Sequence, residues 1–211
     1  ATSPTTDAQA HAWAVTAAVA IHAHAWAGRV DRALARIDEF DVRDYEGRHN
    51  TRLWLVWAAG DPLRWTGQVA RALTHAEVAV SAEAAGYRRL WYVAELAASR
   101  AAAGASPRDL GVGAGETPAS SVDRWWPWAM ARLVDAVASA ADGRPLDGDL
   151  LEAVDSWAGR LERYVEWLRA DAPIRSWATA CLQRVRAQRA FLGGTPDPAL
   201  WDPVVADIED R

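Results

Sequence analysis

The chain has 211 residues, a formal net charge of −5 and 51% apolar residues, so it is long enough to bury a sizeable core and carries no general attraction for nucleic acid or anionic membrane. All 23 basic residues are Arg, which excludes a Lys Schiff base, a P-loop lysine and every other Lys-dependent chemistry. Cys181 is the single cysteine, so no intramolecular disulfide forms, and a reducing, cytoplasmic setting is the expectation.

About nine helices and no strands are expected, in an all-α chain. The first runs over 7–27, with Asp7 as a cap and Gly28 as its stop. It is too short and too polar to span a bilayer. The second, 29–40, carries the stripe Val30, Ala33, Leu34, Ile37 and Phe40. A third, 45–59, ends at Gly60. Asp61-Pro62 then reads as an N-cap with Pro at the first helical position, opening a fourth helix to Ala85. The fifth covers 87–103.

Residues 105–120, between Gly104 and a cap at Ser120 or Ser121, lose all periodicity and are rich in Gly, Pro and Ser. They are expected to be a flexible loop dividing an N-terminal block, 1–104, from a C-terminal block, 121–211. The later helices are expected at about 121–141, 149–170, 173–192 and 198–209.

Gly28, Gly60 and Gly194 each end a helix in this reading, and Ala33 and Ala199 follow two of them by five residues. That is the rhythm of stacked antiparallel helical hairpins, none of which can bury its own apolar face. Ala20–Ile37, with Gly28 and Ala33, resembles a degenerate tetratricopeptide repeat (TPR), with His24 at the usual Tyr position. Ala187–Trp201 resembles the repeat region of bacterial LuxR-type regulators and large signalling ATPases. The resemblance implies a bacterial regulatory sensor or scaffold whose ATPase and DNA-reading parts lie elsewhere.

Motifs with chemical content are sparse. Gly111–Glu116 has the glycines of a phosphate loop but lacks the strand, the helix and the Lys. His22 and His24 diverge around a helix and cannot chelate one ion; hydrogen bonding between helices is the expectation for them. Asp38–Gly47 fails the spacing of a calcium loop. No metal ligands, cofactor or catalytic residues are expected.

The candidate ligand-binding residues are aromatic, because 13 Trp stand against 2 Phe. Trp54 and Trp57 share a helix face. Trp91 and Tyr92 lie on a helix apolar nearly all round, with Glu95 one turn beyond Trp91 and Arg88 on the same side. Trp125, Trp126 and Trp128 flank Pro127, which is expected to disrupt a helix start and leave at least one indole facing solvent or a partner. Aromatic clusters fill cores, and they also hold cations, flat ligands and protein hot spots. The favoured expectation is a non-enzymatic module binding a protein segment or a small aromatic or cationic molecule. An enzyme using Glu95 as acid or base inside a Trp-walled cavity, and a purely structural scaffold, stay open.

Overall fold

The computed structural model describes residues 6–41, 44, 48–82, 87–112, 126–146 and 148–209. Among them it is all-α, with nine α-helices, short 3₁₀ turns that include those at Pro107–Leu110 and Pro198–Leu200, and no strand. The chain divides into two compact units, residues 1–99 and 100–211.

The first unit begins with α1 (Asp7–Trp26). Thr6 and Gln9 form a reciprocal capping box at its start, so the cap is Thr6 and not the expected Asp7. Gly28, at φ +70°, turns the chain into α2 (Val30–Ile37). Then come α3 (His49–Trp65), α4 (Val69–Ala82) and α5 (Tyr87–Ala102), with the boundary between the units inside α5.

α1 and α3 are parallel neighbours. Asp7 Oδ1 meets Arg48 Nε at 3.0 Å near their N-terminal ends, while His22 meets Trp57 toward the other end. Ala14, Ala18, Ala58 and Ala59 are fully buried between helices. Their small side chains let the helix axes come close, and Ile21, Leu55 and Leu63 fill the spaces that remain.

The third and fourth helices depart from expectation. Gly60-Asp61-Pro62 does not break the chain; α3 runs through all three residues. The true turn is at Gly67, φ +74°. An uninterrupted helix carrying Pro is disfavoured by about 3 kcal/mol. Burial of Ala58, Ala59 and Leu63 on both sides of the break signal outweighs that cost. Gly60 therefore drops out of the glycine rhythm, and Gly67 replaces it.

With Gly67 in register, a 39-residue internal repeat emerges. Trp26-Ala27-Gly28-Arg29-Val30-Asp31-Arg32-Ala33-Leu34 aligns with Trp65-Thr66-Gly67-Gln68-Val69-Ala70-Arg71-Ala72-Leu73, identical at six of nine positions. The same offset carries α1 onto its parallel neighbour α3, so the repeat in sequence matches a repeat in structure.

The second unit opens with the last turn of α5. Residues Pro107–Leu110 form a 3₁₀ turn in which Leu110 is buried, and Arg100 Nη1 donates to the Leu110 carbonyl at 3.0 Å. The start of the expected loop is thus packed. Residues 113–120, with most of the phosphate-loop look-alike, lie outside the described residues. α6 (Trp126–Ala141), α7 (Gly148–Trp167), α8 (Ile174–Leu192) and α9 (Asp202–Glu209) complete the unit. α8 packs on α6, α7 and α9. Its arginines pair outward: Arg184 with Asp135 at 2.7 Å, Arg189 with Asp155 at 2.6 Å, and Arg186 with Glu162. Trp157 is fully buried in this unit, and Cys181, in no disulfide, is buried there too.

Candidate functional site

Six polar residues are buried in the first unit: His22, Thr51, Arg52, His75, Glu95 and Ser99. Buried polar groups are costly unless they are paired, and the second unit pairs its largely covered Asp135 carboxylate with Arg184 and Gln188.

The centre of the first unit's polar chemistry is Arg64, on the last turns of α3. Its Nη1 lies 2.8 Å from Glu95 Oε2 on α5 and 3.0 Å from the Ser99 hydroxyl, and its Nη2 lies 2.9 Å from Asp61 Oδ1. One guanidinium thus serves two carboxylates and a hydroxyl. Its planar fork of five donors, fixed in geometry, suits that task. Glu95 and Ser99, one turn apart on α5, present the matching face. Arg88, on the same side of α5 as Glu95 in the sequence, has its side chain outside the described residues; the partner described for Glu95 is Arg64 of α3.

Gly60 explains why this approach is close. A Cβ at residue 60 would overlap Glu95 Oε2 and stand 2.9 Å from Arg64 Nη2. The glycine that reads in sequence as a helix stop is a helix residue whose missing side chain admits the ion pair.

Beside the ion pair runs a chain of rings. Trp57 contacts Trp54 with centroids 5.5 Å apart and Trp91 at 6.1 Å, both edge-on. His22 of α1 lies 4.0 Å from Trp57 and stacks on Trp26 at 5.3 Å. The rings therefore cross α1, α3 and α5. Trp91, Tyr92 and Glu95 are buried, whereas Trp54 and Trp57 keep part of their surface open.

His22 is the ionisable member of the ring chain. Burial holds its pKa below the ordinary histidine value of 6.5, against a smaller opposing pull from Asp61. The folded state keeps His22 neutral while the unfolded chain protonates near 6.5, so the unfolded state binds more protons in that range. Stability is therefore retained above about pH 6.5 and lost as the pH falls below it, with a slope of at most about 1.4 kcal/mol per pH unit for one proton. Urea midpoints measured between neutral and mildly acidic pH should show this loss. His22→Phe should flatten it, and an unchanged slope in that variant would assign the effect to another group.

Of the sequence-predicted site residues, Trp54, Trp57, Trp91, Tyr92 and Glu95 come together in the first unit. Trp126 and Trp128 belong to the second, and Trp125 lies outside the described residues. Pro127 does not disrupt the helix there. It sits in the first turn of α6, where its missing N–H is unneeded. Trp126 is buried against Tyr164 at 5.5 Å, and Arg132 covers the ring of half-buried Trp128 at 5.6 Å. The strongly exposed indoles are others: Trp26 at 75%, Trp167 at 65% and Trp65 at 56%. Sequence reasoning missed them because each sits in the last turn of its helix. The 39-residue repeat, which equates Trp26 with Trp65, was the signal available for two of them.

No group of three or more His, Cys, Asp or Glu side chains among the described residues is placed to hold a metal ion. No helix among them is long and apolar enough to cross a membrane. No protein-family model, curated protein or solved structure matches the chain.

Proposed function

We propose that the first unit is a non-enzymatic binding module of TPR-like helical hairpins, taking a cationic or aromatic group on the ring surface of α3. The observation that carries this reading is the ring chain His22–Trp57–Trp54, partly open to solvent and backed by Asp61, Arg64 and Glu95. Arg64 meets two carboxylates, Asp61 and Glu95, beside these rings. Asp61, whose side chain is 27% exposed, is the outlet of this group to water. Indole faces present negative quadrupole density, and with a nearby carboxylate they favour a cation. The packing order of α1, α2, α3 and α4, with α1 and α3 parallel, supports the hairpin stack. A role in a bacterial regulatory protein is the accompanying inference from sequence resemblance.

The alternative use of Glu95 as acid or base is less well supported. Its carboxylate is held by Arg64 and backed by Gly60, which leaves no approach for a substrate.

The test is titration of the protein with phenethylammonium, phenylacetate and a short Arg-rich peptide, read by indole N–H resonances. The expected result is that the ammonium compound or the peptide shifts the Trp54 and Trp57 signals at millimolar concentration, and that Trp57→Leu abolishes the response. Shifts with phenylacetate alone would reverse the charge assignment. Silence with all three would leave the scaffold reading in possession.

A further inference from the structure

A helix at the surface of a folded protein normally turns a charged face to water. α7 does so, with exposed Asp149, Glu152, Asp155, Arg163 and Glu166. α1 does not. After Asp7 the chain carries no Asp, Glu or Arg until Arg29. Yet only one side of α1 is covered: Ala10, Ala14, Ala17, Ala18, Ile21 and Ala25 are buried.

The opposite side is exposed and orderly. Ala12, Thr16, Val19, Ala23 and Trp26 are all exposed and recur at alternating steps of four and three, the spacing of a helix-pairing seam. Val19 is 61% exposed and Trp26 75% exposed. The one hydroxyl in the stripe makes no demand on a partner, because Thr16 Oγ1 donates to the Ala12 carbonyl of its own helix at 2.9 Å.

The order of side-chain sizes along this stripe says what fits it. Val19 stands at the middle, and Ala12 and Trp26 lie seven residues to either side. Turned end for end, the stripe sets the small Ala12 opposite the large Trp26. It also sets Thr16 opposite Ala23, within one residue's rise of about 1.5 Å. Val19 meets itself. Large faces small at each end and no charge is left buried, which is what an isologous two-fold contact requires.

We propose that this face of α1 binds the same face of α1 in a second copy of the chain, antiparallel, with Val19 on the two-fold axis. A helix of 20 residues is about 30 Å long, so a single helix pair falls below the area of a standard stable interface. The dimer is accordingly weak and concentration-dependent. The inference rests on other observations than the ligand reading above: it uses the outer side of α1 and none of the α3 ring surface, and it meets the ring chain only where Trp26 stacks on His22.

The experiment is sedimentation analysis of the full chain from micromolar to millimolar concentration, for the unaltered protein and for Val19→Arg. Monomer–dimer exchange is expected in the unaltered protein. In Val19→Arg, two guanidiniums meeting across the axis should raise the dimer Kd by on the order of a hundredfold. Circular dichroism confirms that the variant, altered only at an exposed site, stays folded. Disulfide trapping supplies the register: Val19→Cys should cross-link rapidly under mild oxidation, whereas Ala35→Cys, exposed on α2, should not. Cys181 is buried and does not compete. A chain that stays monomeric throughout, a dimer indifferent to Val19→Arg, or equal cross-linking of the two cysteine variants would each overturn the proposal.

Discussion

Gly60→Ala should destabilise the protein by about 1–3 kcal/mol, although helix propensity argues for the opposite sign. Gly60 lies inside α3, and in an unobstructed helix Ala is favoured over Gly by about 1 kcal/mol. Here the added methyl would overlap Glu95 Oε2 and crowd Arg64 Nη2. It must push apart a buried ion pair or force the helices away from each other. Overpacking of this kind costs about 1–3 kcal/mol, and loss of a buried pair about 3–5 kcal/mol. Loss of the pair exceeds the propensity gain, and overpacking equals or exceeds it. The helical Gly159 of α7 is the internal control, because a Cβ there meets only Arg163 Nη1 at 3.6 Å. Gly159→Ala should raise stability by about 0.5–1 kcal/mol. Urea unfolding of the two variants, with hydrogen exchange in α3 and α5 to localise the loss, checks both signs. Equal stabilisation by the two substitutions would mean that Gly60 is not the point of closest approach.

The second large effect is at Glu95. Glu95→Ala should cost about 3–5 kcal/mol, since it leaves the Arg64 guanidinium, 8% exposed, with only the Asp61 carboxylate and the Ser99 hydroxyl. The informative comparison is the double variant Arg64→Met, Glu95→Leu. Removing both charges of a buried pair is often neutral or stabilising. Asp61 can turn to water, and Ser99 can bond the carbonyl one turn back on its own helix. The double variant should therefore recover most of the stability lost by Glu95→Ala. Should it recover stability and also lose the response to phenethylammonium, the ion pair matters to binding beyond its place in the core. A double variant as unstable as the single one would show that Arg64 and Glu95 do not act as a pair.

These two expectations rest on residues whose meaning changed between sequence and structure. Gly-Asp-Pro is a strong local signal for a helix stop, because Gly adds backbone freedom and Pro removes a donor. Local chemistry could not register that Glu95, 35 residues beyond Gly60, needs the space that a glycine leaves. The same limit applied at Pro127, which reads as a disruption and acts as a first-turn proline.

Much was legible without coordinates. The 3.6-residue stripes, Ala-rich helices and glycines such as Gly28, Gly104 and Gly194, each at positive φ, set an all-α chain of about nine helices, because periodicity and backbone conformation are properties of short segments. Trp54, Trp57, Trp91 and Glu95 stand out as candidates by residue type, but so do Trp125, Trp126 and Trp128, and residue type does not say which of them meet. Tertiary packing alone decided the rest. Trp57 meets His22 because α1 and α3 pack together, and it meets Trp91 because α5 brings side chains to the same part of α3. Arg64 takes Glu95 because α3 continues through Pro62. Trp126 is covered while Trp26 and Trp65 are left open. An indole has the same composition in a core as on a surface. Only the position of neighbouring helices, set by contacts far apart in the chain, determines which of the two it is.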